Sequence, residues 1–301
     1  MLSLLVVLER LSEFYIFLFI GWILGRWKKD LIPQTGILSF LIVNLFLPCT
    51  VISSFSENFT VDYFLNNGAS LFFSAVLLAV LHFTCKFPAK ALTKDAFERR
   101  VYEYSFVIPN GAYLGYPLIL AIFGSQGLTD YVLFTIPFAI YTYTYGYVIL
   151  SGEGKGIKSL LNPTTVSILV GAALGLLQIS LPKVISQPIA SASACVGPLS
   201  MIMTGLTLAD MAPKSLLMDK KAYLMVALRL VIIPAVVFAV CKLLDLPQII
   251  VPAVVYMAMP TGLNTIIFAK NGGQSPELGA KLAFLSHLFS LVTIPIWLML
   301  I

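Results

Sequence analysis

The residues best placed to do chemistry are two short runs in apolar surroundings, Pro109-Asn110-Gly111 and Pro260-Thr261-Gly262, with Tyr113 and Asn264 just beyond them. No nucleophile paired with a base and no metal-ligand cluster stands out in the chain, so the chemistry on offer is recognition and not bond-making. Proline removes a helical hydrogen bond and clashes with the preceding turn, while glycine turns where a side chain would obstruct; each run therefore predicts a broken helix. Where a helix restarts after a break, its first N–H groups lack partners and carry about half a positive charge. Two restarts facing one cavity favour an anion. Asn110, Thr261 and Asn264 add directional side-chain hydrogen bonds, and a carboxylate fits that set. The competing reading is that Asn110 and Thr261 only cap their half-helices.

What must position these residues follows from composition. The chain is 59% hydrophobic and 11% charged, with mean hydropathy +0.94, against about 25% charged in soluble domains. Apolar runs near the ~20 residues a bilayer needs fill it end to end. This predicts an all-α integral membrane protein with ten spans, at about 3–25, 36–55, 64–85, 103–123, 129–150, 162–181, 190–211, 220–244, 248–270 and 279–300. The first stretch has no cleavage site of small residues and reads as a retained span. The two broken spans are the fourth and ninth. Broken backbone inside a membrane is tolerated only against protein or a water-filled cavity, so the breaks point to a site at the midplane.

Fifteen of the nineteen Lys and Arg fall on one side of this topology: Arg26 to Lys29, Lys86 to Arg100, Lys155 and Lys158, Lys214 to Lys221, and Lys270 with Lys281. Only Lys183 and Lys242 fall on the other, while Arg10 and Arg229 lie within spans. By the positive-inside rule the basic side is cytoplasmic and both termini are outside. The net charge of +5 is then topological and no sign of a nucleic-acid partner.

Leu133-Phe134-Thr135-Ile136-Pro137 also resembles Leu291-Val292-Thr293-Ile294-Pro295 near the chain's end. With the paired Pro-x-Gly runs, this divides the chain into a first five-helix repeat (1–150), a short connecting loop (151–161) and a second repeat (162–301). Five spans is an odd number, so the second repeat is inverted, and the two breaks cross near the pseudo-two-fold axis.

Other intramembrane polar residues have a functional and a plainer reading. His82 and Lys86 lie four apart on one helical face and could relay a proton or hold an anion, or be a packed histidine and a snorkelling lysine. Glu13 is costly near mid-span, yet Arg10 three residues earlier would pair with it. Tyr141, Tyr143, Tyr145 and Tyr147 make two helical stripes, of which Tyr141 and Tyr145 are taken here as cavity-lining. Arg229 requires a partner, Asp210 or a lipid phosphate, in a structural role. His287 has no evident partner and is assigned to core packing. The four scattered cysteines read as packing residues, and neither metal nor cofactor is implied beyond a coupling Na⁺ or H⁺.

Asn44-Leu45-Phe46-Leu47-Pro48, Leu114-Gly115-Tyr116-Pro117-Leu118 followed by Phe123-Gly124, Asn162-Pro163 leading into Gly171, Met259-Pro260-Thr261-Gly262 through Asn264, and the closing Leu291 to Pro295 run together resemble the auxin efflux carrier family, over essentially the whole chain. The resemblance implies a ten-span carrier of two inverted repeats with crossed broken helices four and nine, and a scaffold part that often dimerises. It also implies ligand contact by the asparagine after the first crossover proline, here Asn110. The long central loop of the plant hormone exporters is missing, and compact bacterial relatives are associated with small carboxylates. The expected function is thus secondary transport of a small organic anion in a bacterial cytoplasmic membrane. The alternatives are a cation/proton antiporter of similar architecture, against which the fifth span offers only Asp130, and a carrier-fold sensor, which would have no appended domain to signal with. An enzyme is least expected.

Overall fold

The computed structural model describes residues 4–152, 162–210 and 219–301, which form helices and their connections plus one isolated β-bridge. Most of the expected connecting loop, with Lys155 and Lys158, and Lys214 in a later connector lie outside the described residues.

In chain order the longer helices are α1 (Leu4–Trp27), α2 (35–58), α3 (Ala69–Leu92), α4 (Ala96–Val107), α5 (Gly111–Ser151), α6 (Pro163–Leu176), α7 (Lys183–Ala209), α8 (Lys220–Leu243), α9 (Pro247–Ala258), α10 (Asn264–Asn271) and α11 (Glu277–Leu300), with a short helix, Val61–Asn67, between α2 and α3. Their starts follow local chemistry. The Asp95 carboxylate accepts from the N–H groups of Phe97 and Glu98, both at 2.8 Å, and Asn162 Oδ1 accepts from Thr165 N–H at 3.0 Å, with Pro163 in the first turn. Three π turns each end two residues before a proline: Ile42–Phe46 before Pro48, Gly111–Gly115 before Pro117 and Leu228–Ile232 before Pro234. Proline cannot donate to the carbonyl four residues back and its ring pushes that turn open, so the preceding turn widens.

Among the described residues six stretches are long and apolar enough to cross a membrane: Lys29–Asn58, Ala69–Leu92, Gly111–Ser151, Lys183–Ala209, Lys220–Leu243 and Glu277–Leu300. The other helices differ from the expected spans for identifiable reasons. α1 has the length but carries Glu9, Arg10, Glu13 and Arg26. α6 stops at Leu176, short of the expected 181. α4 and α9, at 12 residues each, are cut by the two breaks to about 18 Å, little more than half the ~30 Å hydrocarbon core. Gly124, at φ 70°, divides α5 into a part that continues from α4 and a long second part.

Two packing groups result. In the first, α1 lies along Val196–Ala209 of α7, and Leu47–Asn58 of α2 lies along α6. Gly21 and Gly205 let the α1 and α7 backbones touch, the small-residue packing typical of membrane helices. In the second, α3, α4, α5, α8, α9, α10 and α11 surround a buried aromatic set that includes Tyr104, Tyr131, Phe134, Phe138 and Tyr256. Outward-facing Phe72 (74% exposed), Phe87 (78%) and Val184 (85%) would be costly in water and are at home in lipid.

Candidate binding site at the two helix breaks

Each break begins one residue before its proline. Ile108 (φ −109°, ψ 111°) and Met259 (φ −64°, ψ 146°) are extended, as the proline ring demands of the residue it follows. The two extended segments lie antiparallel against each other. Pro109 bridges Thr261, and Asn110 N–H donates to the Pro260 carbonyl at 2.7 Å. Behind them, Thr261 N–H donates to Ser286 Oγ of α11 at 2.9 Å. A Cβ on Gly262 would stand 3.1 Å from the Pro109 carbonyl oxygen, so glycine permits this approach.

A cavity of about 70 Å³ lies at the junction, lined by the first residues of both restarted helices: Asn110, Gly111 and Ala112 from one break, Gly262, Leu263 and Asn264 from the other. Tyr113, Tyr143 and Tyr256 add to its wall. Tyr113, Tyr143 and Asn264 also line a second, larger cavity of about 1000 Å³, which includes Ser39, Asn44 and Tyr147 and extends to Lys29, Asp210 and Lys270. A vestibule thus leads from a partly basic rim to the breaks.

The residues singled out from sequence divide into two sets. Pro109, Asn110, Gly111, Tyr113, Gly262 and Asn264 share the small cavity; Pro260 and Thr261 form the backbone pairing behind it. The Asn110 side chain does not cap α5. Its Nδ2 donates to His287 Nε2 at 3.1 Å, while its Oδ1, like Thr261 Oγ1, is buried without a partner. Tyr141 and Tyr145 are not in the cavity wall. They pack on His82, whose Nδ1 lies 3.0 Å from the Tyr141 hydroxyl, and the other stripe, Tyr143 and Tyr147, faces the vestibule.

Glu13 pairs with Arg10 at 3.7 Å on a half-exposed face of α1, the plainer of its two readings. Lys86 stands over the Phe83 ring at 5.4 Å. Asp210 is not the partner of Arg229. It pairs with Lys270 at 3.8 Å, and the fully buried Arg229 donates to the Met257 carbonyl at 2.8 Å. That carbonyl belongs to the last turn of α9, where the break leaves acceptors free and the helix dipole is negative. His287 does more than fill the core: it is the residue that holds the Asn110 amide. The signal available in sequence was its type, since a titratable group in a span is a functional candidate by default.

The model of a family described as membrane transport protein matches residues 6–159 and 155–298. The chain belongs to this membrane transport family, of the auxin efflux carrier type. An uncharacterized transporter of Methanothermobacter thermautotrophicus is 29% identical over 195 residues, 62% of this chain and 63% of its relative. The chain thus spans just under two thirds of that relative. An uncharacterized transporter of Methanocaldococcus jannaschii is 23% identical over 294 residues, 91% of both chains. The apolar helices and the family together make this a multi-pass integral membrane protein of the membrane transport family.

Proposed function

We propose that this transporter is a secondary carrier for a small organic anion, a mono- or dicarboxylate, with its site at the junction of the two breaks. One observation carries the reading: both restarted helices begin at the same cavity, so the positive ends of two helix dipoles meet at one small volume. Asn110 and Asn264 supply side-chain polar groups in the same wall. None of the residues lining that cavity is acidic. Competition of a cation and a proton for a carboxylate therefore has no seat there, which argues against the antiporter alternative.

The proposed architecture has ten passes: α1, α2, α3, α4 with 111–123, 125–151, α6, α7, α8, α9 with α10, and α11. The passes up to residue 150 and those from 162 form two inverted repeats, with both termini outside the cytoplasm. The group containing both breaks moves as an elevator against a scaffold of α1, α2, α6 and α7, through which two copies dimerise. Titrating purified protein with mono- and dicarboxylates, with and without Na⁺, tests the ligand class. Saturable binding of a carboxylate is expected, and folded protein that binds none overturns the reading. Single cysteines at Ser56 and Ser159 should label from opposite sides, Ser56 from outside.

A further inference from the structure

We propose that His287 is a positioning residue that binds a proton and thereby decides which face of the Asn110 amide meets the anion. This rests on the anion-carrier reading above and adds its coupling. His287 Nδ1 lies 2.7 Å from the Ala283 carbonyl oxygen, which can only accept, so the proton of the neutral ring sits on Nδ1. Nε2 then holds a lone pair. The Asn110 atom 3.1 Å from it is the donating NH₂, Nδ2. Oδ1 is left buried and unpartnered on a residue that lines the cavity. In this state Asn110 offers a carboxylate an acceptor, and two acceptor oxygens repel.

A proton on Nε2 reverses the arrangement. The ring nitrogen becomes a donor and can no longer accept from NH₂. Rotating the amide about its last side-chain bond brings Oδ1 onto Nε2–H and turns NH₂ to the cavity. One proton passes from vestibule water to Nε2, one hydrogen bond breaks and one forms; no covalent bond between heavy atoms changes. The imidazolium then stands one amide away from the bound carboxylate in surroundings of low dielectric, where each charge favours the other. Proton and anion therefore bind together, as symport requires.

Several charged groups on the elements packed against α11 are engaged elsewhere. α11 packs against α1, α4, α7, α8, α9 and α10. From α1, the Tyr15 hydroxyl donates to the His287 carbonyl at 3.1 Å and does not reach the ring through that bond. Arg10 and Glu13 of α1 pair with each other, Glu98 of α4 accepts from Thr93, and Arg229 of α8 is held by the Met257 carbonyl. Asp210, which follows α7, pairs with Lys270 of α10, and Lys281 of α11 with Asp219. Tyr104 of α4 packs on Phe268, and Tyr256 of α9 on Phe138 and Tyr131.

Calorimetric titration of the full chain with acetate, which stays ionised throughout, in buffers of differing ionisation enthalpy between about pH 6 and 8, reads the coupling directly. Wild-type protein should take up about one proton per anion and lose about tenfold in affinity per pH unit above the histidine's range. His287→Gln should bind with no proton uptake and no dependence on pH. Should that variant fail to fold, His82→Gln leaves His287 as the sole histidine of the chain's two, and side-chain ¹⁵N NMR reads its ring. Conversion of a singly to a doubly protonated ring on adding the anion is expected. A ring that stays neutral with anion bound, or uptake that persists in His287→Gln, overturns the inference while leaving the carrier reading intact. Absence of anion binding at every pH overturns both.

Discussion

The main-chain N–H of Asn110 donates to the carbonyl of Pro260 at 2.7 Å, so each break supplies a partner that the other needs. Proline has no N–H to give, and its ring holds the preceding residue extended. Two such segments pair antiparallel, as Pro109 and Thr261 do. Backbone freed by the two prolines is thereby satisfied by protein, and the two breaks behave as one object. The restarted helices on either side are held at a fixed separation, which is what a small rigid ligand requires.

Asn110→Ala should weaken carboxylate binding roughly ten- to hundredfold, since a hydrogen bond to a charged group contributes about 1.5–3 kcal/mol. Stability should fall by less, about 1 kcal/mol for the lost neutral bond to His287. Asn110→Asp nearly keeps the shape but sets a negative charge beside the anion, and should impair binding more than alanine does. A cation site would respond the opposite way. Carboxylate and Na⁺ titrations of both variants decide, and unchanged carboxylate affinity in both removes Asn110 from the site.

Thr261→Val separates fold from ligand at the other break. The Thr261 hydroxyl is buried with no partner, while its N–H is already satisfied by Ser286. Removing an unsatisfied buried hydroxyl while keeping the shape should leave thermal stability within about 1 kcal/mol of wild type, or raise it. If the hydroxyl meets the ligand in the bound state, carboxylate affinity should fall several-fold in the same variant. Equal affinity in Thr261→Val and wild type would assign the residue to the backbone pairing alone.

The breaks were legible because proline and glycine act through the backbone, and their effect is local to a few residues. The six apolar stretches were legible from length and composition for the same reason. What sequence could not supply was the direction in which a helical face points. Tyr141 with Tyr145 and Tyr143 with Tyr147 are equivalent stripes until packing shows that the first pair stacks on His82. His287 and Asn110 meet across 177 positions, a contact that no local pattern announces. Arg229 was expected to seek a charge, but a broken helix also offers a negative end, and that end lies nearer.

Asp219 gives a stability that depends on pH. Burial would raise its carboxyl, but the hydrogen bond from Lys281 at 3.2 Å and the N–H groups of Lys221 and Ala222 outweigh it, leaving the group below its ordinary value. A carboxyl lowered in the folded state contributes stability above its unfolded value, near 3.9, and that contribution is lost as pH falls through the folded value. Asp219→Asn keeps a good helix cap while removing the charge. The variant should be less stable by about 0.5–1 kcal/mol near neutrality, the range for a partly exposed pair, and match wild type in strong acid. Thermal unfolding in detergent against pH tests this; parallel curves for the two proteins would show that the pairing contributes nothing.

Movement of the break-bearing group against the scaffold can be tested where α2 meets α5. Ser54 Oγ lies 2.6 Å from Thr129 Oγ1 in a buried contact and donates to the Ser125 carbonyl at 2.8 Å. Cysteines at 54 and 129 would therefore have their β-carbons close enough for a disulfide, in a background where Cys49, Cys85, Cys195 and Cys241 are replaced by alanine. An elevator must slide one helix past the other, so the oxidised pair should hold the chain in the state seen here, with the vestibule leading to the breaks. Transport in proteoliposomes should stop on oxidation and return on reduction, while carboxylate binding from the vestibule side survives. That combination separates a locked carrier from a misfolded one, because misfolding would remove binding as well. Full transport by the oxidised protein would show that α2 and α5 travel together and would overturn the proposed division into scaffold and moving unit.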